Sequence, residues 1–535
     1  MKTYKYIYLL IIGLSMIGCS DLIEEPKTEL NPEQYFKNLT LDQIEGFVNG
    51  AYAHMVHRNF LSREMAQALE FRSDMTAIGR TGVQERIDHD DFTVQADNAL
   101  ISGGSNTYWK KCYQIIAAAN EAIEKSAYVE NADETAKKEL IARARFARAF
   151  TYFHLVRQFG DIPYLDDTTL LGDASVAERT PVATVYTKII ADFEYCKLNL
   201  PNTRASRALP TKAAASSFLS LVYLTMAQYD DANFKKAYDE AKDVISNEGV
   251  YNLGLAPDFQ DLFDCVKVDA SLEPIFVLDF TGVSDGDQGR DYQGAMQGIR
   301  GDDQYLNGTK SAGGGWSVQV PALKVYTTWD AKDYRRAVTL DDTAYIKGAW
   351  VDYTNFTSDP LAVNRPHIAK YMYMATRAPQ QDGNTRGSQS NYMMIRYAEV
   401  LLIAAEAANE LGFSAEAEGY VNRVRTRARA GGVTNGNVAS TSPANISGTG
   451  KDALRTLILE ERRLELAYEM SRWYDIARRK MGATVFGSNG LESEVSTESG
   501  VGPGVKFFDA SRDYLFPIPI DEIIRNPNLT QNPGY

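Results

Sequence analysis

Apolar residues recur with helical spacing through most of the first half of the chain. In residues 41–57, Ile44, Phe47 and Ala51 follow one another at intervals of three and four, which places them on one face of a helix. Gly160 directly follows the longest segment of this kind, at a position where glycine commonly ends a helix. The same spacing predicts helices at residues 41–57, 109–127, 135–159, 181–199, 211–227 and 233–247.

Two of these predicted helices have the pattern of a repeat unit. Segments 211–227 and 233–247 are separated by a short polar turn. Small residues such as Ala213 and Ala237 alternate with large ones such as Phe218 and Phe234, and this packing of small against large side chains resembles one tetratricopeptide unit. A second pair is predicted at 392–411 and 419–430, and a last helical block at 452–480.

The middle of the chain, residues 249–390, lacks a sustained period and is rich in Gly, Asp, Tyr and Trp. Within it only 274–280, PIFVLDF, has the apolar run of a strand. Residues 72–106 have a similar loop-like composition. Loops of this length in a compact protein usually carry function. We therefore expect ligand contacts in these two stretches.

The first nineteen residues resemble a bacterial lipoprotein signal. Lys2 and Lys5 precede an apolar run at 7–17 that is too short to span a bilayer of ~30 Å. The following MIGC resembles a lipobox ending in Cys19, with Met16 where Leu is usual. SDLIEE at 20–25 resembles the export signal of surface-exposed Bacteroidetes lipoproteins. We expect cleavage after residue 18 and a lipid anchor on Cys19; the alternative is an ordinary secretory signal.

The composition argues against several classes of partner and site. The chain has a formal net charge of −14, which becomes −16 without Lys2 and Lys5. Such an acidic protein is not expected to bind nucleic acid or anionic lipid surfaces. The other three cysteines, Cys112, Cys196 and Cys265, are far apart and odd in number, so neither a disulfide framework nor a zinc site is predicted.

Five separated motifs resemble those of the SusD/RagB family of outer-membrane nutrient-uptake lipoproteins. They occur in the family's order and cover most of 19–260 and 390–535. One departure is visible at Glu469-Met470-Ser471, where the family commonly has Glu-Gly. The motifs are RAFTYFHLVRQFGDIP at 148–163, IRYAEVLLIAAEA at 395–407, VNRVRTRA at 421–428, EERRLEL with RWYDIAR at 460–478, and LFPIP with QNPGY at 515–535.

The resemblance implies an all-α fold, a right-handed superhelix of four tetratricopeptide-like hairpins with long irregular loops and little β structure. It implies a signal peptide at 1–18, an N-terminal helical half at 19–260 and a C-terminal half at 261–535, the two halves forming one compact unit. It further implies a surface protein that captures oligosaccharide for a SusC-like TonB-dependent transporter in the outer membrane. Some members take peptide instead, and this alternative stays open.

No motif of catalysis or cofactor binding is present in the sequence. Among the family motifs, Glu399, Glu406, Arg462, Glu465 and Arg472 are expected to form structural ion pairs. Residues 285–291 resemble the start of a calcium loop, but an EF-hand's glycine and bidentate glutamate are missing from it. We predict no enzyme, metal or cofactor. A surface glycoside hydrolase remains the alternative, because its two catalytic carboxylates can lie far apart in the sequence without forming a recognisable motif.

Sugar binding requires flat aromatic faces together with a few polar groups. We expect Trp316 and Tyr305 to stack on sugar rings in a shallow face built by residues 286–353, with Trp109 and Trp473 in the core. Trp329 lies in a predicted helix at 321–330, and for this residue a position in the core is the stronger alternative. The other proposed ligand-binding residues are Arg300, Asp302 and Asn307, which would read hydroxyls, then Asp303, Tyr292 and Trp350, and Arg80, Asp74 and Asn98 from the 72–106 stretch.

Overall fold

The computed structural model describes a mostly helical protein. It covers residues 36, 39–79, 84–102, 107–169, 171–281, 289, 291–300, 315–346, 348–358, 363–372, 389–430, 440–491 and 506–535. Cys19, Arg80, Asp302, Asp303, Tyr305, Asn307 and the calcium-like residues 285–288 lie outside the described residues. In the part of the chain that the structure describes, no helix is both long and apolar enough to cross a membrane.

Eight of the described helices form the scaffold, and each packs against the next along the chain. They pair as four consecutive hairpins, which confirms the tetratricopeptide-like architecture. The fourth hairpin packs on the third across more than 140 residues of intervening sequence, so the two halves of the chain share one core. These helices are α1 (Leu41–Met55), α2 (Tyr108–Lys125), α3 (Glu134–Phe159), α4 (Val182–Asn199), α5 (Lys212–Met226), α6 (Ala232–Ser246), α7 (Tyr397–Glu410) and α8 (Ser414–Arg429).

Local sequence sets the ends of these helices. Thr40 caps α1 by accepting from the backbone N–H of Gln43, whose side chain in turn accepts from Thr40 N. Asp133 and Thr211 cap α3 and α5 in the same way. Gly160 ends α3 at a φ of +72°, a conformation that glycine adopts without a steric penalty. The predicted helices of the first half are thus confirmed to within two residues at each end.

Aromatic side chains fill the centre of the scaffold. Phe146 and Phe150 of α3 meet Phe218 of α5 edge to face, with ring centroids 5.6 and 5.4 Å apart. Phe276, from a strand, joins the cluster at 4.8 Å from Phe146. Ala213 and Ala237 are fully buried between the helices, as the pattern of small and large residues predicts. Each such phenylalanine contributes roughly 1.5–3 kcal/mol by burial.

The described strands form four separate antiparallel pairs, β1–β3, β2–β8, β4–β7 and β5–β6. In the pair β2–β8, Pro274 lies opposite Arg396 and Leu278 opposite Tyr392. Residues 392–396, which we predicted as the first turn of a helix, are therefore a strand. A short apolar run does not distinguish the two states by itself. The strands are β1 (Thr76–Ile78), β2 (Pro274–Leu278), β3 (Gln319–Pro321), β4 (Leu340–Asp341), β5 (Thr343–Ile346), β6 (Ala349–Asp352), β7 (His367–Ile368) and β8 (Tyr392–Arg396).

The last predicted helical block is also interrupted. It consists of α9 (Lys451–Glu465) and α10 (Arg472–Arg478), separated by a turn in which Tyr468 and Met470 both have a φ of +60°. Because a left-handed conformation costs a non-glycine residue roughly 1–2 kcal/mol, the glycine that the family commonly has before Arg472 suits this turn better than Met470 does.

Short helices complete the described structure, and two of them occupy the stretch predicted as loop at 72–106 or border it. They are Glu64–Phe71, Gln84–Asp91, Leu171–Ala174, Glu248–Tyr251, Gln293–Gln297, Leu323–Thr328, Tyr334–Thr339, Gly482–Val485 and Ile520–Arg525.

Candidate functional site

A surface aromatic pair, an exposed Trp350 and a half-buried Tyr345, lies on the hairpin formed by β5 and β6. Tyr345 is directly opposite Trp350, and the ring centroids are 5.6 Å apart at an angle of 63°. Strand alternation turns both rings to the outer face, and Trp350 is 62% exposed. Gly348, at a φ of +86°, provides the tight turn between the strands. We call this surface the hairpin face: Thr343, Tyr345, Trp350 and Asp352.

The inner side of the hairpin is anchored in a small hydrophobic cluster. Ala344 and Ile346 are buried there, and they pack with Ile299, Phe356 and Met372. Ile299 comes from the segment 298–300, so the hairpin face and Arg300 are attached to the same cluster. The aromatic pair is therefore held by packing and does not depend on the ligand to position it.

Close backbone packing at Gly315 fixes the segment that carries Trp316. A Cβ atom on Gly315 would lie 1.8 Å from the carbonyl oxygen of Gly298, so only glycine fits there. Trp316 N donates to Ala295 O at 2.7 Å, and Ser317 N donates to Gly298 O at 3.0 Å. We predicted that glycine would give Trp316 freedom to be presented. At Gly315 the described backbone instead requires glycine for a close approach.

Trp316 itself is half-buried. Its ring packs against a cluster that includes Phe71, Ile78, Met296 and Val318. Part of the ring thus supports the fold, and only the remainder is available at the surface. The predicted stacking role is compatible with this position, but Trp316 is a less exposed platform than Trp350.

Arg300 belongs to a hydrogen-bonded chain that fixes its backbone. Arg300 N donates to Ser317 Oγ at 2.9 Å, and Ser317 Oγ lies 2.8 Å from His367 Nε2. His367 Nδ1 lies 2.9 Å from Arg365 O, a carbonyl that can only accept. The chain therefore assigns the proton of a neutral His367 to Nδ1, with Ser317 donating to Nε2. Arg300 is half-buried at the end of this chain.

Several predicted site residues are part of the core instead. Tyr292 is only 7% exposed and presents no ring face to solvent, with the guanidinium of Arg63 5.4 Å from its ring centroid. Trp329 is buried and its indole N–H donates to Asp333 Oδ2 at 3.2 Å. Tyr292 is therefore removed from the candidate site, and the core alternative for Trp329 is confirmed.

The 72–106 stretch also loses its candidates among the described residues. Asp74 is buried and forms a bidentate ion pair with Arg472, with both contacts at 2.7 Å. Asn98 is buried and donates to Glu85 O at 3.0 Å and to Asp88 Oδ2 at 3.1 Å. Both side chains stabilise the fold, because their polar atoms are bonded to Arg472 and to residues of the helix at 84–91.

Sequence reasoning missed Tyr345 and the hairpin that presents it. The residues of β5 and β6, on either side of Gly348, alternate between inward and outward positions, and this is a recognisable hairpin signal. The signal was hidden by the Gly-rich composition of the surrounding stretch. Trp350 was predicted as a ligand-binding residue, although without this partner.

The charged motif residues form a buried charge cluster. At its centre the Arg396 Nη1 atom lies 2.6 Å from Glu273 and 2.6 Å from Glu465. Arg335 Nη1 also contacts Glu465, at 2.9 Å. Burial by itself would raise the pKa of Glu465, but the guanidinium groups of Arg427, Arg396 and Arg335 hold it well below its usual value. The members of the cluster are Glu273, Arg335, Lys370, Arg396, Arg427, Glu461, Glu465 and Glu469.

A neighbouring set of ion pairs joins α7, α9 and α10. Arg462 contacts Asp475 at 2.8 Å and Glu399 at 3.1 Å, while Arg478 contacts Glu406 at 2.5 Å. The structural role predicted for these charges is confirmed, although the pairs mostly connect different helices instead of positions along one helix. Within the described residues, no group of three or more His, Cys, Asp or Glu is arranged to hold a metal ion, and no disulfide bond joins the three described cysteines.

Comparison with known proteins places this architecture. A model described as the SusD family matches residues 272–535, and one described as starch-binding associating with the outer membrane matches residues 24–224. The SusD-like protein P2 of Formosa agariphila is 46% identical over the full length of both chains. The chain belongs to the SusD family.

Solved structures agree with the SusD fold. A SusD homolog from Bacteroides thetaiotaomicron has a TM-score of 0.79 at 21% identity, covering 96% of this chain and all of that one. A laminarin-binding SusD-like protein has a TM-score of 0.72 at 22% identity and covers 93% of this chain and all of its own. Surface glycan-binding protein A of B. thetaiotaomicron, solved with laminarihexaose, has a TM-score of 0.72 at 19% identity, with coverages of 92% and 99%.

Proposed function

We propose that this SusD-family protein is a cell-surface glycan-binding lipoprotein that captures oligosaccharide and delivers it to a SusC-like TonB-dependent transporter. The observation that carries the proposal is the hairpin face, where Trp350 and Tyr345 present aromatic surface on a rigidly anchored hairpin. Pyranose rings expose flat C–H faces that pack on such rings. Asp352 and Thr343 lie beside the pair and provide oxygen atoms for sugar hydroxyls.

Trp316 and Arg300 extend this binding face in our proposal. Both are connected to the hairpin through the packed 298–300 segment, since Ile299 contacts Ala344 and Ile346. Tyr305, Asp302 and Asn307 remain predicted contributors from the same stretch of sequence, and Arg80 from the earlier one. Laminarin and laminarihexaose, the ligands named for two of the structurally similar proteins, are therefore the first probes to test.

The binding test uses the full chain with Cys19→Ala to give a protein without the lipid anchor. It would be screened on an array of glycans and against a peptide library, and Trp350→Ala would then be titrated with the best ligand by calorimetry. Phe507→Ala is a matched control, because Phe507 is 60% exposed but lies outside the hairpin. Loss of affinity for a glycan in Trp350→Ala alone supports the proposal. Selective peptide binding, or new reducing ends after incubation with oligosaccharide, contradicts it.

The proposed anchoring and delivery need a separate experiment in cells. Wild type and Cys19→Ala would be compared for incorporation of a labelled fatty acid and for surface accessibility to protease. We expect the label and the membrane association to disappear in Cys19→Ala when the transporter gene is absent. Co-purification of the wild-type protein with the transporter would support delivery. Tight membrane association of Cys19→Ala without the transporter would contradict the anchor.

A further inference from the structure

A cleft lies among the scaffold helices, and no residue of the hairpin face lines it. It has a volume of about 290 Å³ and lies between the end of α3, the start of α4, the α5–α6 turn, the end of α10 and the C-terminal segments 510–515 and 532–533. Four tyrosines line it, and we call it the tyrosine cleft: Tyr186, Tyr229, Tyr474 and Tyr514.

The charge of the tyrosine cleft is opposite to that of the protein. The whole chain has a net charge of −14. Yet among the described residues the cleft is lined by Arg157, Arg478, Lys480 and Arg512 and by no Asp or Glu. A concave site with one sign of charge concentrates ligands of the opposite sign.

Two of these cations are already neutralised. Arg478 contacts Glu406 at 2.5 Å and Asp475 at 2.8 Å, and Arg512 contacts Asp513 at 2.7 Å. The charges of Arg478 and Arg512 are therefore balanced by carboxylates of the protein itself.

Arg157 is different, because the described carboxylates form no ion pair with it. Its Nε donates to Phe153 O at 3.0 Å. Its guanidinium carbon lies 3.7 Å from the ring centroid of Tyr474 and 3.8 Å from that of Phe153. Burial lowers the pKa of Arg157 below its usual value. The guanidinium thus lies over two rings, the charge of Glu399 acts on it only from beyond ion-pair distance, and a directly bound anion would stabilise it further.

Lys480 provides the second cation without a described carboxylate. It lies two residues after the end of α10 at a φ of +53°, and its ammonium lies 4.2 Å from the ring centroid of Tyr514. Tyr514 is fixed in turn, since its hydroxyl accepts from Gly482 N at 3.1 Å. Tyr229, in the turn between α5 and α6, is 65% exposed and offers a ring face at the same cleft. Gln228 beside it adds an amide.

We propose that the tyrosine cleft is a second binding site, which takes an acidic saccharide unit. Its carboxylate or sulfate would be held by Arg157 and Lys480, and its ring would pack on Tyr229. A cleft of this volume suits one or two sugar rings. The proposal rests on the proposed function only in taking a saccharide as ligand, and it does not require the hairpin face to bind anything.

The test measures dissociation constants by ligand-observed NMR titration of the Cys19→Ala protein at low ionic strength. The probes are glucuronate, glucose 6-sulfate, neutral glucose and inorganic sulfate. We expect the two acidic sugars to bind about tenfold or more tightly than glucose and than sulfate alone, because both charge and ring contribute. Raising the salt to about 0.5 M should weaken the acidic sugars selectively.

Variants locate the binding. Lys480→Gln and Arg157→Gln should each remove about a tenfold preference for glucuronate over glucose, whereas Lys235→Gln, an exposed lysine outside the cleft, should not. Lys480 is exposed, so its substitution tests the site even if Arg157→Gln fails to fold. Trp350→Ala should leave glucuronate binding unchanged, which separates failure of this site from failure of the hairpin face. Equal affinities for glucuronate, glucose and sulfate, or an unchanged preference in Lys480→Gln, would overturn the proposal.

Discussion

The buried charge cluster and the hairpin face differ in how their side chains are satisfied. In the cluster, Arg396 and Glu465 find all their partners within the protein and are almost completely removed from water. On the hairpin face, Trp350 packs against the ring of Tyr345 and leaves most of its surface exposed to solvent. The cluster consists largely of family motif residues, and the hairpin contains none. The family motifs therefore encode the scaffold, and residues outside them provide the proposed ligand contacts of the hairpin face.

The largest effect should come from opening the cluster. We expect Arg396→Ala to lower the free energy of unfolding by about 3–5 kcal/mol, because it leaves Glu273, Glu465 and Glu469 buried with less compensation. Denaturant unfolding measures this change. Arg525→Ala is the control, since Arg525 pairs with Glu522 at the surface and should cost less than about 1 kcal/mol. Similar losses of unfolding free energy in both variants would contradict the expected difference between buried and surface ion pairs.

Two tryptophans sharpen the comparison between core and face. Trp329→Ala should lower the free energy of unfolding by about 3–5 kcal/mol, because the ring is buried and its N–H is bonded. Trp350→Ala should leave stability nearly unchanged and should weaken glycan binding by about 1–3 kcal/mol. Melting curves and calorimetry on both proteins measure the two quantities. A strongly lowered melting temperature in Trp350→Ala would assign that ring to the fold.

Trp316 should behave between these extremes. We expect Trp316→Ala to weaken glycan binding about tenfold, which is close to 1.4 kcal/mol. Because the ring packs partly on Phe71 and Val318, stability should also fall, but by less than in Trp329→Ala. The same two measurements apply. Full affinity together with a large loss of stability would remove Trp316 from the proposed binding face.

The smallest expected effect is a dependence of scaffold stability on pH. Glu418 of α8 accepts from Thr449 N at 2.6 Å and Gly448 N at 3.1 Å, and these hydrogen bonds hold the pKa of its carboxyl below the usual value. Its contribution is present above about pH 4.3 and is lost as the pH falls through the lower folded value. Glu418→Gln should therefore reduce the loss of unfolding free energy between pH 5 and pH 3, measured by denaturant titration. An unchanged pH slope would contradict this assignment.

The scaffold could be predicted from the sequence because its signals are local. Helical periodicity, the Thr40 and Asp133 caps and the Gly160 stop each act within a few residues. Strand β8 could not be separated from α7 in this way, since its partner β2 lies more than 110 residues earlier in the chain. The apolar pattern runs without a break from β8 into α7, but pairing with the distant β2 makes residues 392–396 a strand.

The candidate site was less predictable, because exposure depends on tertiary packing. Tyr292 and Trp350 have the same kind of sequence surroundings, yet one is covered by Arg63 and the other is exposed. The sequence does not show that Asp74 is used in an ion pair, because its partner Arg472 lies almost 400 residues away in the chain. Aromatic and acidic residues in a long loop identify a pool of candidates, and only the packing selects among them.

The pairing of β2 with β8 has a consequence for how this protein can change over time. Leu278 and Tyr392 lie side by side, so the segment between them begins and ends at one place, beside the ion pair of Glu273 and Arg396. Parts of that segment are themselves built into the core, since Arg335 and Lys370 belong to the buried charge cluster. The free energy of closing such a segment rises by only about 0.6 kcal/mol for each doubling of its length. Insertions at exposed turns of this segment, such as the turn at Gly348 between β5 and β6, are thus thermodynamically inexpensive, and new specificities can be grafted there while the helical repeats and buried residues such as Trp329 stay the same.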